Sequence, residues 1–246
     1  TVTFIIFREG EEKYVYWIEK KGQNENNLHL YAAPILVAPQ LEVMLFKVVD
    51  SVTMTSATIS VDKEEKGFQF FANRVGVKEP ETLLTGSPFD YKNNVTIYIP
   101  ENMPPANDEN FNNQSILAMK HYVNLTQGGC LILFTSYSAM EHAFLSLQHQ
   151  FELSGFKVLC QGKNKSRSQL IAEFKQSMNS VLFGTDSFWE GVDIPGDALR
   201  NVIITKLPFS VPSHPVTQAK YEYIESIGKR SFNELALPEA IIKFKQ

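Results

Sequence analysis

The sequence predicts an α/β fold, in which a parallel sheet is flanked by helices and preceded by a small N-terminal β meander. From Gly128 onward, short apolar runs rich in Val, Ile, Leu and Phe alternate with helix-like segments. Strands separated by helices of roughly 10–15 residues are typical of parallel sheets with right-handed crossovers. The chain has 246 residues, 43% of them hydrophobic, so it is long and apolar enough for a packed core.

The second half of the chain contains the elements that predict this sheet. Four short apolar runs are the predicted strands: Cys130–Thr135, Phe156–Cys160, Val181–Phe183 and Val202–Thr205. The predicted helices are Asn113–Thr126, Ala139–Leu153, Ser168–Gln176, a helix from Ser213 or His214 to Gly228, and Leu237–Lys245. The connections are short, as expected of an α/β domain.

The first half of the chain is predicted to be less regular. Residues 1–38 are interpreted as the β-rich tail of a preceding region, with strands Thr3–Phe7, Tyr14–Lys20 and His29–Ala33. Residues 39–246 are expected to form one domain. Its early elements are predicted as a helix Leu41–Val48, a strand Ser51–Met54, a helix Phe68–Val75 and a strand Val95–Ile99.

Composition argues against several classes of protein. No apolar run approaches the roughly 20 residues that span a bilayer, so we expect no membrane partner. Cys130 and Cys160 are too few for a disulfide framework, so we expect small buried residues in a cytoplasmic protein. The chain begins without Met, which indicates a fragment of a longer polypeptide.

Charge gives two opposing indications about nucleic acid. The formal net charge of −4 argues mildly against a nucleic-acid-binding protein. Residues 153–172, however, contain Lys157, Lys163, Lys165 and Arg167 and no acidic residue. This local excess is compatible with phosphate contacts, and also with a solvated basic loop.

The stretch Ser180–Phe209 is the most informative part of the sequence. Its two predicted strands enclose a polar loop with two glycines, Gly191 and Gly196. The polar residues of that loop include Thr185, Asp186, Ser187, Glu190 and Asp193. Because parallel α/β sheets bind ligands at the carboxyl ends of their strands, we predict a site in this loop.

The amino-acid sequence of this loop resembles a motif of a known family. The loop reads T-D-S-F-W-E-G-V-D-I-P-G and is followed by K-L-P-F. It resembles motif V of superfamily 2 helicases in the DinG/XPD-like branch. In family order, S-A-T at 56–58 resembles motif III, G-G-C-L-I-L-F-T-S-Y at 128–137 resembles motif IV, and Gln246 stands where motif VI begins. The resemblance covers residues 34–246 and implies a second RecA-like motor domain, truncated at the start of motif VI.

The resemblance also implies roles for residues on the nucleotide side. Asp193 is placed at the inter-domain cleft near the ribose or γ-phosphate of ATP, where a carboxylate accepts hydrogen bonds and orients arginines. Glu190 and Gly191 are its predicted neighbours in nucleotide binding, and Gln246 is a predicted catalytic residue of motif VI. The alternative for Asp193 is a helix-capping carboxylate before Ile194.

Other residues are implied on the nucleic-acid side. The predicted nucleic-acid contacts are Thr135, Ser136, Lys163, Thr185, Ser187 and Trp189. The motif III pair Ser56 and Thr58 is predicted to couple nucleotide state to the nucleic-acid path. Each has an ordinary alternative: a local turn bond for a hydroxyl residue, solvation for Lys163, and core packing for Trp189.

Two motifs of a complete motor are missing from the sequence. A phosphate loop requires Gly, four residues, then Gly-Lys-Ser/Thr, whereas Gly155…Gly162-Lys163 has the wrong spacing. A metal-binding acidic motif is also missing, so we predict no metal site in this fragment. In the family the iron–sulfur cluster lies in an insertion of the first half, so we expect no such cluster in this fragment. The family implies ATP and Mg²⁺ in the full-length protein, with single-stranded DNA and the first RecA-like domain as partners. The fragment alone, without a phosphate loop or arginine finger, is predicted to be inactive.

Two other functions remain open from the sequence. A helicase-like domain that no longer unwinds DNA could serve as a nucleic-acid-binding module attached to a DnaQ-like 3'-5' exonuclease. An unrelated α/β nucleotide-binding or transferase domain could match by chance, and it would show no interaction with DNA.

Overall fold

The computed structural model describes residues 5, 10, 12–21, 27–62 and 64–245. The chain divides into two units, one drawn from Thr1–Gly86 and Phe209–Lys245 and the other from Ser87–Pro208. The predicted strand Thr3–Phe7 lies outside the described residues apart from Ile5, and Gln246 lies outside them entirely.

The described part of the chain contains six strands and eight α-helices. The strands are β1 (Tyr14–Lys21), β2 (Asn27–Pro34), β3 (Cys130–Leu133), β4 (Lys157–Cys160), β5 (Ser180–Gly184) and β6 (Asn201–Ile204). The helices are α1 (Ala38–Leu41), α2 (Gln69–Val75), α3 (Tyr91–Asn94), α4 (Phe111–Leu125), α5 (Tyr137–Leu153), α6 (Arg167–Lys175), α7 (Pro215–Ser226) and α8 (Leu237–Phe244). None of the described helices is long and apolar enough to cross a membrane.

A four-stranded parallel sheet is the centre of the Ser87–Pro208 unit. Its strand order is β4-β5-β3-β6. The central pair is in register, with Cys130 opposite Val181 and Leu133 opposite Gly184. Every neighbouring pair is parallel, and a helix follows each of β3 and β4. The predicted α/β class is therefore confirmed, and the four predicted strands agree with the observed ones to within a residue or two.

Alternation along the strands divides the core of this unit into two layers. Cys130 and Ile132 of β3 join one cluster, which includes residues of α4 and α5. Leu131 and Leu133 join the other, which includes residues of α6. This division follows from the period of two in a strand, because successive side chains point to opposite faces. A strand buried on both faces reads as a continuous apolar run, as β3 does.

The other unit contains the antiparallel pair β1–β2, paired from Tyr14 opposite Pro34 to Lys21 opposite Asn27. Trp17 and Tyr31 are opposite one another, and their rings stack with centroids 4.9 Å apart. Cross-strand aromatic pairs stabilise such a ribbon. Helix α7 packs against β1. Two strands of the predicted meander are therefore confirmed.

Two predicted strands are wrong. Ser51–Met54 and Val95–Ile99 form no strand in the structure. Their β-branched and aromatic residues suit a strand, but a strand also needs a partner for its backbone groups. The large apolar side chains of the second segment remain exposed, from 52% for Val95 to 81% for Ile99. The predicted helix Leu41–Val48 is also corrected, because α1 ends at Leu41 and continues as a π-helix, Glu42–Phe46.

Replacing Leu147 by Ala should lower the free energy of unfolding of the Ser87–Pro208 unit by about 2–5 kcal/mol, because it leaves a cavity in the core. Leu147 is 1% exposed, whereas Leu145 in the same helix is 66% exposed. The control Leu145→Ala should change the same quantity by less than about 0.5 kcal/mol. In a Trp17→Phe background, Trp189 fluorescence during urea unfolding reports this unit. Equal effects of both substitutions would contradict the assigned helix face.

Candidate functional site

The carboxyl ends of three neighbouring strands bring most of the predicted site residues to one edge of the sheet. Thr135 and Ser136 follow β3, Lys163 follows β4, and the loop 185–200 follows β5. That loop carries the other predicted residues of this unit: Thr185, Ser187, Trp189, Glu190, Gly191 and Asp193. Ser56 and Thr58 belong to the other unit. Gln246 lies outside the described residues.

The start of the β5 loop is anchored in the core. Phe188 and Trp189 are 2% and 5% exposed and belong to the cluster that contains α6 residues. The Trp189 Nε1–H donates a hydrogen bond to the carbonyl oxygen of Phe134 at 3.1 Å. A buried indole normally finds such a partner. The Trp189 ring is therefore covered by protein, which favours the packing interpretation over base stacking.

Glycine at 184 is required by this anchoring. A Cβ atom added at Gly184 would lie 2.8 Å from the Cγ atom of Phe188. Real Cβ atoms essentially never approach another heavy atom so closely. Gly184 is the last residue of β5, so the absence of a side chain there lets the 3₁₀ turn Asp186–Phe188 fold back onto the strand.

Gln161 connects three segments of the site, although sequence reasoning did not assign it a role. Its Oε1 accepts hydrogen bonds from the Thr185 backbone N–H at 2.7 Å and from the Thr185 hydroxyl at 3.0 Å. Its Nε2 donates to the hydroxyls of Tyr137 at 2.6 Å and Ser187 at 3.1 Å. The available signal was an amide directly after a strand, at the carboxyl edge of the predicted sheet.

Thr185 is consequently satisfied without a ligand. It is 2% exposed, and both its hydroxyl and its backbone N–H point to Gln161. An amide oxygen accepts these two donors as a phosphate oxygen would. A phosphate contact at Thr185 therefore requires Gln161 to release it.

Arg167 is a second residue that sequence reasoning did not assign to the site. Its guanidinium group donates to backbone carbonyl oxygens of Ser187, Glu190 and Gly191. The signal in the sequence was weak, because an arginine in a basic segment has many possible roles. Its position at the start of α6 is fixed by a capping box between Ser166 and Gln169.

Ser136 has a local structural role at the end of β3. It is the N-cap of α5, and its hydroxyl accepts a hydrogen bond from the Ala139 backbone N–H at 3.3 Å. Thr135 is exposed beside it. Both residues line a small cavity of about 40 Å³, together with Lys206 and Phe111. Thr135 therefore lies exposed at the carboxyl edge of the sheet, whereas Ser136 also caps a helix.

Three of the four basic residues in this local excess form ion pairs, and they share two carboxylates. Lys163 pairs with Glu141 at 2.9 Å, and this hydrogen bond lowers the pKa of the Glu141 carboxyl and raises that of Lys163. Lys165 and Lys157 both pair with Glu173, and their hydrogen bonds, that of Lys165 most, lower the pKa of that carboxyl. These acids come from α5 and α6, so the sequence window alone did not show them.

Asp193 and Glu190 are the two carboxylates of the loop that were predicted to belong to the site. Both side chains are exposed, and neither carboxylate makes an ion pair or hydrogen bond with another described residue. No α-helix begins directly after Asp193, so the structure shows no capping role for it. Between them, Gly191 has φ +62°, in the region that favours glycine. The two predicted carboxylates are thus exposed and without a partner among the described residues.

The motif III residues lie in a local turn, and the two cysteines are buried. Ser56 and Thr58 form a local turn, in which the Thr58 backbone N–H donates to the Ser56 hydroxyl at 3.2 Å. Cys130 and Cys160 are free and buried, and burial raises the pKa of the Cys160 thiol to about 11. In the described ranges, no group of three or more His, Cys, Asp or Glu residues is arranged to hold a metal ion.

Comparison with known proteins identifies a family. The family described as helicase C-terminal domain matches residues 119–246. The 3'-5' exonuclease DinG of Bacillus subtilis is 35% identical over 98% of this chain and 26% of its own length. The ATP-dependent DNA helicase DinG of Photobacterium profundum is 35% identical over 94% of this chain and 34% of its own length. The ATP-dependent DNA helicase YoaA of Escherichia coli is 34% identical over 95% of this chain and 35% of its own length. The chain thus spans about a quarter to a third of these relatives.

Substituting Gly184 by Ala should destabilise the Ser87–Pro208 unit by about 1–3 kcal/mol, because the new methyl group displaces Phe188. The displacement of Phe188 should change the fluorescence emission of the adjacent Trp189, measured in a Trp17→Phe background. The control Gly86→Ala adds the same methyl group where no atom lies within 4 Å. A stable Gly184→Ala protein with unchanged emission would show that the loop is not packed as described.

Proposed function

The chain belongs to the helicase C-terminal domain family, and from this we propose that residues 39–246 act as the second RecA-like motor domain of a DinG-type DNA helicase. In the complete protein, the domain would supply half of an ATP cleft and a surface for single-stranded DNA. The observation that carries the proposal is the β5 loop. It places open carboxylates and hydroxyl groups together at the carboxyl edge of a parallel sheet, where such sheets bind ligands.

The nucleotide side of the proposed site consists of Glu190, Gly191 and Asp193. Exposed carboxylates accept hydrogen bonds from ribose hydroxyls and orient arginines that approach the γ-phosphate. The absence of a partner for Asp193 among the described residues supports this role, because an acid in a structural ion pair would not be available. Gln246 is proposed as a further catalytic residue from the resemblance alone, because it stands where motif VI begins.

The nucleic-acid side consists of Ser187, Thr135 and Lys163, with Ser136 and Thr185 as further contacts. Hydroxyl and ammonium groups can donate hydrogen bonds to the phosphates of the DNA backbone, and such contacts do not depend on the base sequence. Lys163 is half-exposed and its partner Glu141 is also exposed, so a phosphate can compete for it. The DNA contact is therefore proposed to be backbone-directed and dependent on salt.

Turnover requires a partner domain. The sequence contains no Gly-x₄-Gly-Lys-Ser/Thr phosphate loop, the element that wraps the phosphates of ATP and helps to hold Mg²⁺. We place that element in the first RecA-like domain of the same polypeptide. ATP binding would close the two domains, and Ser56 and Thr58 would couple the closure to the DNA path. The chain without that domain is expected to lack ATP hydrolysis.

Replacing Asp193 by Ala in the full-length protein should reduce DNA-stimulated ATP turnover about tenfold or more, since a contact to nucleotide or arginine is lost. The measurement is ATP hydrolysis with and without single-stranded DNA. Asp197→Ala is the control, because Asp197 is an exposed acid of the same loop and its backbone carbonyl keeps its bond to Arg200. If wild-type protein that is well folded shows no DNA-dependent turnover, the motor function is excluded.

Replacing Glu141 by Gln should tighten binding of single-stranded DNA about two- to fivefold, because it releases Lys163 from an exposed ion pair. Glu152→Gln is the matched control: it removes the same charge from the same helix, but Glu152 is bonded to Gln148 instead of a lysine. Fluorescence anisotropy with a labelled oligonucleotide at fixed salt measures both. Equal effects would mean that Lys163 does not contact the DNA.

A second candidate function is a DNA-binding module without a motor, attached to a 3'-5' exonuclease. It is favoured by one observation, the match over 98% of this chain to a relative named 3'-5' exonuclease. The ATP measurement above separates the two candidates. A full-length protein that degrades DNA from its 3' end without DNA-stimulated ATP turnover would support the module.

A further inference from the structure

Arg167 makes an unusual set of contacts with the loop that follows β5. Its Nε–H donates to the Ser187 carbonyl oxygen at 2.8 Å. Its Nη2 donates to the carbonyl oxygens of Glu190 and Gly191, both at 2.7 Å. The guanidinium carbon also lies 5.8 Å from the centre of the Phe188 ring. One side chain therefore binds both ends of the short segment 187–191.

These contacts suit arginine and no other residue. The guanidinium group is planar and always charged, and its donors are fixed in a fork. A lysine carries the same charge but cannot hold three carbonyl oxygens in this arrangement. No carboxylate of the described residues forms an ion pair with Arg167, in contrast to Lys157, Lys163 and Lys165. Its hydrogen bonds to backbone carbonyls of the loop are therefore its main interaction.

The outer part of the loop is held by the partly buried side chains of Val192 and Ile194, which pack against the same apolar cluster as Phe188 and Trp189. Residues 189–195 form no helix or strand, so their backbone groups need other partners. The inner part is held by the buried Phe188 and Trp189 rings. The carbonyl groups of Glu190 and Gly191 lie beyond that anchor, and Arg167 is their hydrogen-bond donor. Loss of Arg167 would therefore remove the hydrogen-bond donor of the Ser187, Glu190 and Gly191 carbonyls, while the apolar side chains of the loop stay packed.

We propose that Arg167 is a positioning residue that holds the backbone of Ser187, Glu190 and Gly191, two residues before Asp193, in one fixed turn. This inference rests on the proposed function, in which Ser187 faces DNA and the other end of the turn faces nucleotide. Because Arg167 bonds to both ends, it keeps the two binding surfaces in a single arrangement. The chain thereby couples DNA binding to nucleotide binding through one side chain that need not touch either ligand.

The test uses the full-length protein and the substitution Arg167→Lys. Lysine keeps the charge, so long-range attraction of DNA is retained and the change reports geometry. We expect the KM for ATP and the DNA concentration that gives half-maximal stimulation each to rise about tenfold. The thermal unfolding midpoint should change little, because the Ser166–Gln169 capping box and the burial of Phe188 and Trp189 remain. Arg167→Ala should give the same two increases.

Arg200 provides a matched control. Its guanidinium group also binds several backbone carbonyl oxygens, those of Thr126, Gln127, Met178 and Asp197, but it precedes β6 at the opposite end of the sheet. Arg200→Lys should therefore leave unchanged both the KM for ATP and the DNA concentration that gives half-maximal stimulation. If Arg167 served only to stabilise the fold, Arg167→Lys would lower the turnover number with unchanged KM.

The outcomes separate the inference from the proposed function. A wild-type protein without DNA-stimulated turnover would overturn the proposed function and this inference with it. A wild-type protein with normal turnover, together with unchanged KM and unchanged DNA dependence in Arg167→Lys, would overturn the inference alone. An increase in both the KM for ATP and the half-maximal DNA concentration in Arg167→Lys, but not in Arg200→Lys, would support the inference.

Discussion

The hydrogen bonds from Gln161 and Arg167 to the β5 loop are the constraint on which the candidate site depends. The loop leaves the sheet at Thr185 and runs through residues 189–195 without regular structure. Its backbone groups cannot use the ladder bonds of a strand, and unpaired buried groups would cost free energy. Gln161 satisfies Thr185 at the start of the loop, and Arg167 satisfies three carbonyls further on. Both side chains come from the segment that joins β4 to α6.

The order of the strands explains why these side chains reach the loop. β4 lies beside β5, so the end of β4 brings Gln161 next to Thr185. The capping box of α6 then fixes Arg167 at the first helical position. The buried rings of Phe188 and Trp189 pack the start of the loop against the apolar layer that contains α6 residues. The parallel sheet therefore serves as the rigid base from which a loop with polar and charged ends is presented.

Sequence patterns predicted the parts of the fold that depend on local periodicity. β3 and β5 were found because strands buried on both faces are continuous apolar runs. Val95–Ile99 is also rich in residues that favour strands, yet it forms no strand, because pairing depends on the neighbouring chain as well as on the segment. In the site, the loop was located from its position between two strands. The roles of Gln161 and Arg167 were not, because long-range hydrogen bonds leave no periodic signal in one sequence.

The most direct test of this account is amide hydrogen exchange at Thr185, measured by NMR in the chain and in its Gln161→Ala variant. The Thr185 N–H donates to the Gln161 side chain, so we expect it to exchange slowly in the wild-type chain and at least about tenfold faster in the variant. The amide of Phe183 within β5 should exchange at the same rate in both. Equal rates at Thr185 in the two proteins would contradict the account, because the loop would then be held by something other than the side chains that follow β4.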